Sequence, residues 1–154
     1  MLLSCSNIAN LAILDYFYSA YMVVMRNPMD RNLTLEQLEN SKWVDHDFET
    51  NLVRRCHELR KIPVGELDIE DLRLLIGQQI GLKYLLDLAV EKLTADILAE
   101  GDYYPGDLLQ SVLLIDPKYW LDNKTQWTAI NKLIEQNKNI IQEIKTKTET
   151  FYSA

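Results

Sequence analysis

The chain has 154 residues, 47% hydrophobic and 25% charged, so it can bury one core and is too apolar to be disordered. Its 23 acidic and 16 basic residues leave a net charge of −7, which disfavours direct nucleic-acid binding because such a surface repels phosphates. With 5 Gly and 4 Pro, the chain has too few turn residues for a β-sandwich. We predict one helical domain over residues 1–154.

The N-terminal segment Ile8–Met25 is largely apolar and predicts a first helix with one apolar face, made of Leu11, Leu14, Tyr18, Tyr21 and Met25. No Lys or Arg precedes this segment, as a signal peptide would require, and Asp15 interrupts a run barely long enough to span a bilayer. We predict a helix packed against protein and no membrane association. Two distant cysteines, Cys5 and Cys56, favour a reducing compartment and hence the cytoplasm.

The next elements are short and begin with recognisable caps. Thr34 and Gln37 form a capping box for a short helix, and Thr50 begins a helix that continues to about Lys61, before Pro63. The apolar face of the second helix is predicted to be Leu52, Cys56 and Leu59. Between them, two aromatic residues are predicted to anchor a loop to the core, namely Trp43 and Phe48.

Two central helices carry the clearest pattern. Asp68 caps a helix that is predicted to run to Ile80, and Gly81 is the expected left-handed residue that closes it. Its predicted inward residues are Ile69, Leu72, Leu75 and Ile76. A second helix is predicted over Leu82–Leu98, with a wide apolar face of Leu82, Leu85, Leu86, Ala89, Val90, Leu93 and Ile97.

The last third of the sequence begins with a polar turn, Glu100–Asp107, followed by an apolar run to Ile115. Asp116 and Pro117 are typical of a helix start. One final helix is predicted from about Thr125 to Lys147, with an inward stripe of Trp127, Ile130, Ile134, Ile141 and Ile144. The predicted fold class is therefore all-α, a single compact domain with about seven or eight helices and no convincing strand.

Catalytic chemistry is not indicated. Asp45, His46 and Asp47 are adjacent in one segment, and no further His or Cys stands at ligand spacing, so no metal site is predicted. Cys56 and His57 would point about 100° apart on a helix, so His57 is a poor base for the thiol. We predict a core cysteine beside a bonded histidine. We expect no enzyme activity, no cofactor and no small-molecule substrate.

The charge is concentrated in residues 66–122, where 12 acidic and 4 basic side chains give a local formal charge of −8. The basic residues just before this region are predicted to pair with it, and they are Arg54, Arg55, Arg60 and Lys61. The alternative interpretation of the acidic groups is that they cap helices and line solvated faces.

Two acidic segments are the candidates for binding a partner. The first is the Glu100–Asp107 turn, because tyrosine and carboxylate side chains are well suited to protein contacts; its candidates are Glu100, Asp102, Tyr103, Tyr104 and Asp107. The alternative is that Tyr103 or Tyr104 anchors the core and that Asp107 stabilises a helix N-terminus. The second candidate segment contains Glu66, Asp68, Glu70 and Asp71.

Three long stretches between Leu33 and Trp120 resemble the immunity proteins of bacterial contact-dependent growth inhibition (CDI) systems. They read LTLEQLENSKW, LVRRCHELRKIPVGELDIEDLRLLIGQQIGL and AEGDYYPGDLL. The resemblance implies a helical cytoplasmic protein without catalysis that binds the toxic C-terminal domain of an effector and blocks its active site. It further implies a ribonuclease-like toxin, and the cleft of such a toxin is expected to be basic because a nuclease must attract a polyanion. The alternative hypothesis is an acidic helical chaperone or adaptor for another secreted or regulatory protein.

Overall fold

The computed structural model describes residues 29–44 and 50–152. Eight α-helices occur within these residues, together with one 3-10 turn at Val64–Glu66. In chain order the helices are α1 (Leu35–Leu38), α2 (Asn51–Leu59), α3 (Ile69–Gly77), α4 (Leu82–Ala95), α5 (Asp107–Leu113), α6 (Tyr119–Asp122), α7 (Lys124–Gln136) and α8 (Lys138–Tyr152). The described part contains no strand, only an isolated bridge between Thr34 and Pro63, so the predicted all-α class is confirmed.

The chain divides into two units, Met1–Asp30 and Arg31–Ala154, and the fold described below is that of the second. The predicted N-terminal helix within Ile8–Met25 lies outside the described residues, as do Phe48 and the Asp45–Asp47 segment. A single domain over residues 1–154 therefore stays a prediction. In the part that is described, none of the helices has the length and apolarity needed to cross a bilayer.

The predicted helix starts are confirmed at three caps. The Thr34 hydroxyl accepts the N–H of Gln37 at 3.3 Å, and the Gln37 side chain accepts the N–H of Thr34 in return. Asp68 and Asp71 form the same reciprocal box at α3, with the Asp71 N–H donating to Asp68 Oδ1 at 2.8 Å. Each box satisfies N–H groups that the first helical turn leaves without a partner. Thr50 caps α2.

The end of α3 differs from the prediction. The helix stops at Gly77, and the left-handed residue that closes it is Gln79, with φ 57°. The Ile80 N–H donates to the Leu75 carbonyl and the Gln79 N–H to that of Ile76, which is the Schellman pattern. Gly81, with φ 65°, instead precedes α4, where an added Cβ would lie 2.8 Å from Leu35.

Two further helix ends are corrected. The predicted Leu82–Leu98 helix stops at Ala95, because Asp96 turns to extended backbone and its carboxylate accepts the Leu98 N–H at 2.9 Å. The predicted final helix is two helices, interrupted at Asn137. The Asn137 side-chain amide donates to the Leu133 carbonyl at 2.9 Å, while the Asn137 carbonyl begins α8 by accepting the Ile141 N–H.

The core lies where α4 packs against α3, α5 and α7, while α3 also packs closely against α5. Most predicted inward residues of α3 and α4 are buried, and Leu75 and Leu86 have no exposed surface. The prediction of a core position is wrong for two residues. Leu52 is 43% exposed and Trp127 is 47% exposed. On α7 the buried residues are Ile130 and Leu133, whereas α8 packs on α7 and buries none of its described side chains fully.

Candidate partner-binding surface

The start of α3 and the loop between α4 and α5 meet in space, although about thirty residues separate them. The link is Glu70, whose Oε2 accepts the backbone N–H of Asp102 at 3.0 Å. Glu70 is also held by a forked ion pair with Arg73, whose Nε and Nη2 donate to the two carboxylate oxygens at 2.6 and 2.5 Å. The two acidic segments that the sequence offers separately therefore form one surface.

Asp107 fixes the α4–α5 loop from inside. Its side chain is 3% exposed, and it accepts the N–H of Gly101 at 2.8 Å and the N–H of Tyr103 at 3.2 Å. Oδ2 also lies 3.8 Å from Nε of Arg73. This position agrees with the structural alternative for Asp107, because a carboxylate in the first turn of α5 also faces the positive end of that helix.

The geometry of the loop favours glycine at two positions. A Cβ on Gly101 would run into the Glu70 carboxylate and would lie 3.1 Å from that of Asp107. Gly106 has φ 90°, which other residues rarely adopt, and its N–H closes the loop by donating to the Leu98 carbonyl at 3.0 Å. The loop is thus tied to α3, to α5 and to its own beginning.

The two tyrosines of the loop are on the outside. Tyr103 is 69% exposed and Tyr104 is 47% exposed, so neither is the core anchor that the structural alternative required. The Tyr103 ring lies against the Arg73 guanidinium, with Cζ 4.5 Å from the ring centroid. This contact places a large aromatic surface at the tip of the loop, on top of the Glu70–Arg73 ion pair.

Asp68 and Asp71 serve the fold. Asp68 caps α3, and Asp71 is buried and accepts a hydrogen bond from Nη2 of Arg55 at 2.7 Å. The predicted pairing of the basic cluster with the acidic centre is therefore found for Arg55. Arg60 differs: it is buried, pairs with Glu39 and stacks on Trp43, with Cζ 4.1 Å from the ring centroid.

Three carboxylates of the two acidic segments remain open to solvent. Glu66, Glu100 and Asp102 are exposed, and the described part of the chain gives none of them a side-chain partner. We name the whole set the acidic surface. Its seven carboxylates and two guanidinium groups have a formal charge of −5, and its members are Glu66, Asp68, Glu70, Asp71, Glu100, Asp102 and Asp107, with Arg55 and Arg73.

The hydrogen bonds from Arg73 are the largest cause that lowers the pKa of Glu70 below its ordinary value of 4.5, against an opposing effect of burial. A depressed folded-state pKa stabilises the fold above the unfolded pKa, and that contribution disappears as the pH falls through the folded value. We expect Glu70→Gln to lower the free energy of unfolding by a constant amount at neutral pH and by progressively less below pH 4.5. Urea unfolding of both proteins at a series of pH values measures this difference.

Glu100→Gln is the matched control, because Glu100 is exposed and has no side-chain partner among the described residues. Its difference from the parent protein should stay near zero at every pH. A Glu70→Gln difference that does not change between pH 7 and pH 3 would show that the ion pair with Arg73 does not stabilise the fold.

The other candidate residues do not assemble a reactive site. Cys56 is buried, and this burial raises the pKa of its thiol, which disfavours the reactive thiolate. The His57 ring packs edge-on against Trp43, with 4.9 Å between ring centroids. Within residues 29–44 and 50–152, no three His, Cys, Asp or Glu side chains are grouped to hold a metal ion.

The sequence contains a local pattern that predicts the ion pair at the centre of this surface. Arg73 follows Glu70 by three residues, a spacing that brings two side chains together on a helix. It marks Glu70 as internally paired, and hence as a support rather than a free contact. The contribution of Gly101 had no such signal, because its crowding depends on the long-range approach of α3.

The chain matches the family model of the CDI immunity proteins over residues 37–130. The match covers more than half of the sequence, and it contains α2 to α6 and the whole acidic surface. The chain therefore belongs to the family of CDI immunity proteins, which confirms the resemblance found in the sequence. Its role is immunity against a CDI toxin. Neither the curated proteins nor the solved structures gave a match.

Proposed function

We propose that this chain neutralises the C-terminal toxin domain of its cognate CDI effector by forming a one-to-one complex, without catalysis of its own. The acidic surface contacts the toxin, and the toxin is a basic nuclease. The observation that carries the proposal is the hydrogen bond from Asp102 to Glu70, because it joins two acidic segments into one face within the region that matches the family.

A nuclease must attract a polyanion, so its active-site cleft carries positive charge. An acidic protein surface competes for that charge and thereby covers the cleft. Complementary charges also accelerate association. Rapid capture matters to an immunity protein, because free toxin damages the cell that it enters.

The acidic surface combines a rigid base with open contact groups. Three carboxylates form hydrogen bonds within the protein: Glu70 with Arg73, Asp71 with Arg55, and Asp107 with the loop backbone. The groups that remain available to a partner are Glu66, Glu100, Asp102, Tyr103 and Tyr104. Carboxylates beside exposed tyrosines suit recognition of Lys and Arg side chains, because charge-assisted hydrogen bonds and ring contacts are then available at one place.

Inhibition by binding agrees with the state of the only described thiol. Cys56 is buried on α2 with a raised pKa, and the family to which the chain belongs is that of the CDI immunity proteins. We therefore assign no catalytic role to Cys56 or His57. The protein acts in our proposal by occupying the toxin's own active site.

The double charge reversal Glu100→Lys/Asp102→Lys tests this surface. Both side chains are exposed and without a partner in the described residues, so the variant should keep its thermal stability. We expect association with the cognate toxin domain to slow by about tenfold at low ionic strength and to lose much of its salt dependence. Stopped-flow association at several salt concentrations measures both effects.

The control is Asp122→Lys/Glu135→Lys, which changes the net charge by the same amount on α6 and α7 rather than on the acidic surface. This variant should associate much faster than the first. Equal association rates for the two variants would mean that total charge rather than the acidic surface guides the toxin. Unaltered kinetics in the first variant would show that the loop is not in the interface, and the acidic surface would then not be the toxin-binding face.

A further inference from the structure

Tyr103 is held in place although it is exposed. Its 69% exposure exceeds that of the other exposed aromatic side chains in the described residues, Trp43, Tyr104 and Trp127. Yet its backbone N–H is bonded to the buried Asp107, and one face of its ring lies against Arg73. A partner that meets this ring therefore finds it already ordered, and binding loses less conformational entropy than with a mobile side chain.

Arg73 is itself fixed. Its side chain is 19% exposed, and its guanidinium forms two hydrogen bonds with Glu70, which also accepts the Asp102 N–H. Ion-paired groups of this kind cost desolvation and are weak evidence for stability by themselves. Here they set the orientation of one exposed ring.

The charges around the Tyr103 ring indicate which kind of partner side chain its exposed face can bind. The positive charge of Arg73 is balanced by Glu70, and Oδ2 of Asp107 lies 3.8 Å from Nε of Arg73. The outer face of the ring therefore retains the negative potential that attracts a cation. Its neighbour in the chain, Asp102, adds an exposed carboxylate.

We infer that Tyr103 is the principal anchor of the toxin complex, that its outer face receives a Lys or Arg side chain of the toxin, and that Arg73 is its positioning residue. This inference rests on the proposed function. It adds that the exposed carboxylates mainly determine the rate of association with the toxin, whereas Tyr103 mainly determines the rate of dissociation.

Two substitutions at Tyr103 test the anchor, with the cognate toxin domain as the probe. Tyr103→Leu keeps an apolar side chain but removes the ring, and should increase the dissociation rate about tenfold. Tyr103→Phe keeps the ring, and should stay within about threefold of the parent protein. Trp127→Leu is the control, because Trp127 is also an exposed ring near a cation, but on α7, and should leave dissociation unchanged.

Each alternative result is distinct. Parent-like dissociation in both Tyr103 variants overturns the anchor, while equally fast dissociation in both shows that the hydroxyl rather than the ring face makes the contact. In either case the proposed function survives if the Glu100/Asp102 reversal still slows association. If that reversal also changes nothing, the acidic surface is not the toxin-binding face and the proposed function fails with it.

A double-mutant cycle tests Arg73. Arg73→Lys keeps the charge but cannot form the forked pair with Glu70, so the ring should lose its fixed position. We expect Arg73→Lys to increase the rate of toxin dissociation in the parent protein but not in the Tyr103→Leu variant. In that variant the contact between the toxin and the Tyr103 ring is already lost. Additive effects in the two backgrounds would overturn the positioning role and leave Arg73 with a structural one.

Discussion

Leu86→Ala should lower the free energy of unfolding by about 2–5 kcal/mol, and Leu75→Ala by a similar amount. Both side chains have no exposed surface, and they belong to α4 and α3, which pack against each other and against α5. Removing three side-chain carbons there forfeits hydrophobic transfer energy and leaves a cavity that rigid neighbours fill only in part. Urea or thermal unfolding, followed by circular dichroism at 222 nm, gives the two values.

Leu114→Ala is the matched control, because the same atoms are removed from a leucine that is 72% exposed at the end of α5. Its effect should lie within about 0.5 kcal/mol of zero. If Leu75→Ala and Leu86→Ala are as mild as this control, the interface of α3, α4 and α5 is not the centre of the core.

The second large effect concerns Asp107. Asp107→Ala removes a buried carboxylate that accepts the N–H groups of Gly101 and Tyr103 and faces Arg73. Two backbone donors lose their partners, and Arg73, whose side chain is 19% exposed, loses one of its two carboxylates. The free energy of unfolding should therefore fall by about 2–4 kcal/mol. Chemical unfolding measures the loss, and toxin binding should weaken with it because the loop is no longer held.

Asp102→Ala provides the comparison within the same loop. The Asp102 carboxylate is exposed, and only the backbone N–H of this residue is used by the fold, through Glu70. We expect almost no change in stability and a slower association with the toxin. Similar losses of stability for Asp102→Ala and Asp107→Ala would contradict the distinction between contact groups and internal supports.

The sequence predicts the helices well because apolar residues recur at helical spacing and because caps are local. The predicted box at Thr34 and the predicted cap at Asp68 need only residues three positions apart, and both are found. Helix ends are less predictable, because each depends on one residue that leaves the helical conformation. At Gln79 a non-glycine residue takes the left-handed position, and its side chain accepts the Asp116 N–H at 3.2 Å, a contact that local patterns do not contain.

For the candidate site, the sequence supplies the correct region but not its organisation. Composition and charge single out both acidic segments, and each contributes to one surface. Which carboxylates are internal is decided by burial and by long-range partners, as for Asp71 with Arg55 and Asp107 with the loop backbone. Such pairings join residues distant in sequence or depend on loop geometry, so helical periodicity cannot reveal them.

Because the helix is interrupted at Asn137, α8 can unfold separately from α7. Helix α8 packs on α7, and none of its side chains through residue 146 is fully buried. Through residue 146, unwinding of α8 would expose less buried apolar surface than unwinding of α3 or α4. The amide hydrogens of this part of α8 should therefore exchange with solvent through local opening, whereas those of α3 and α4 exchange on global unfolding. The described part of the molecule thus combines a cooperative centre, which holds the acidic surface in place, with a helix, α8, that packs on α7 and should open more easily than that centre.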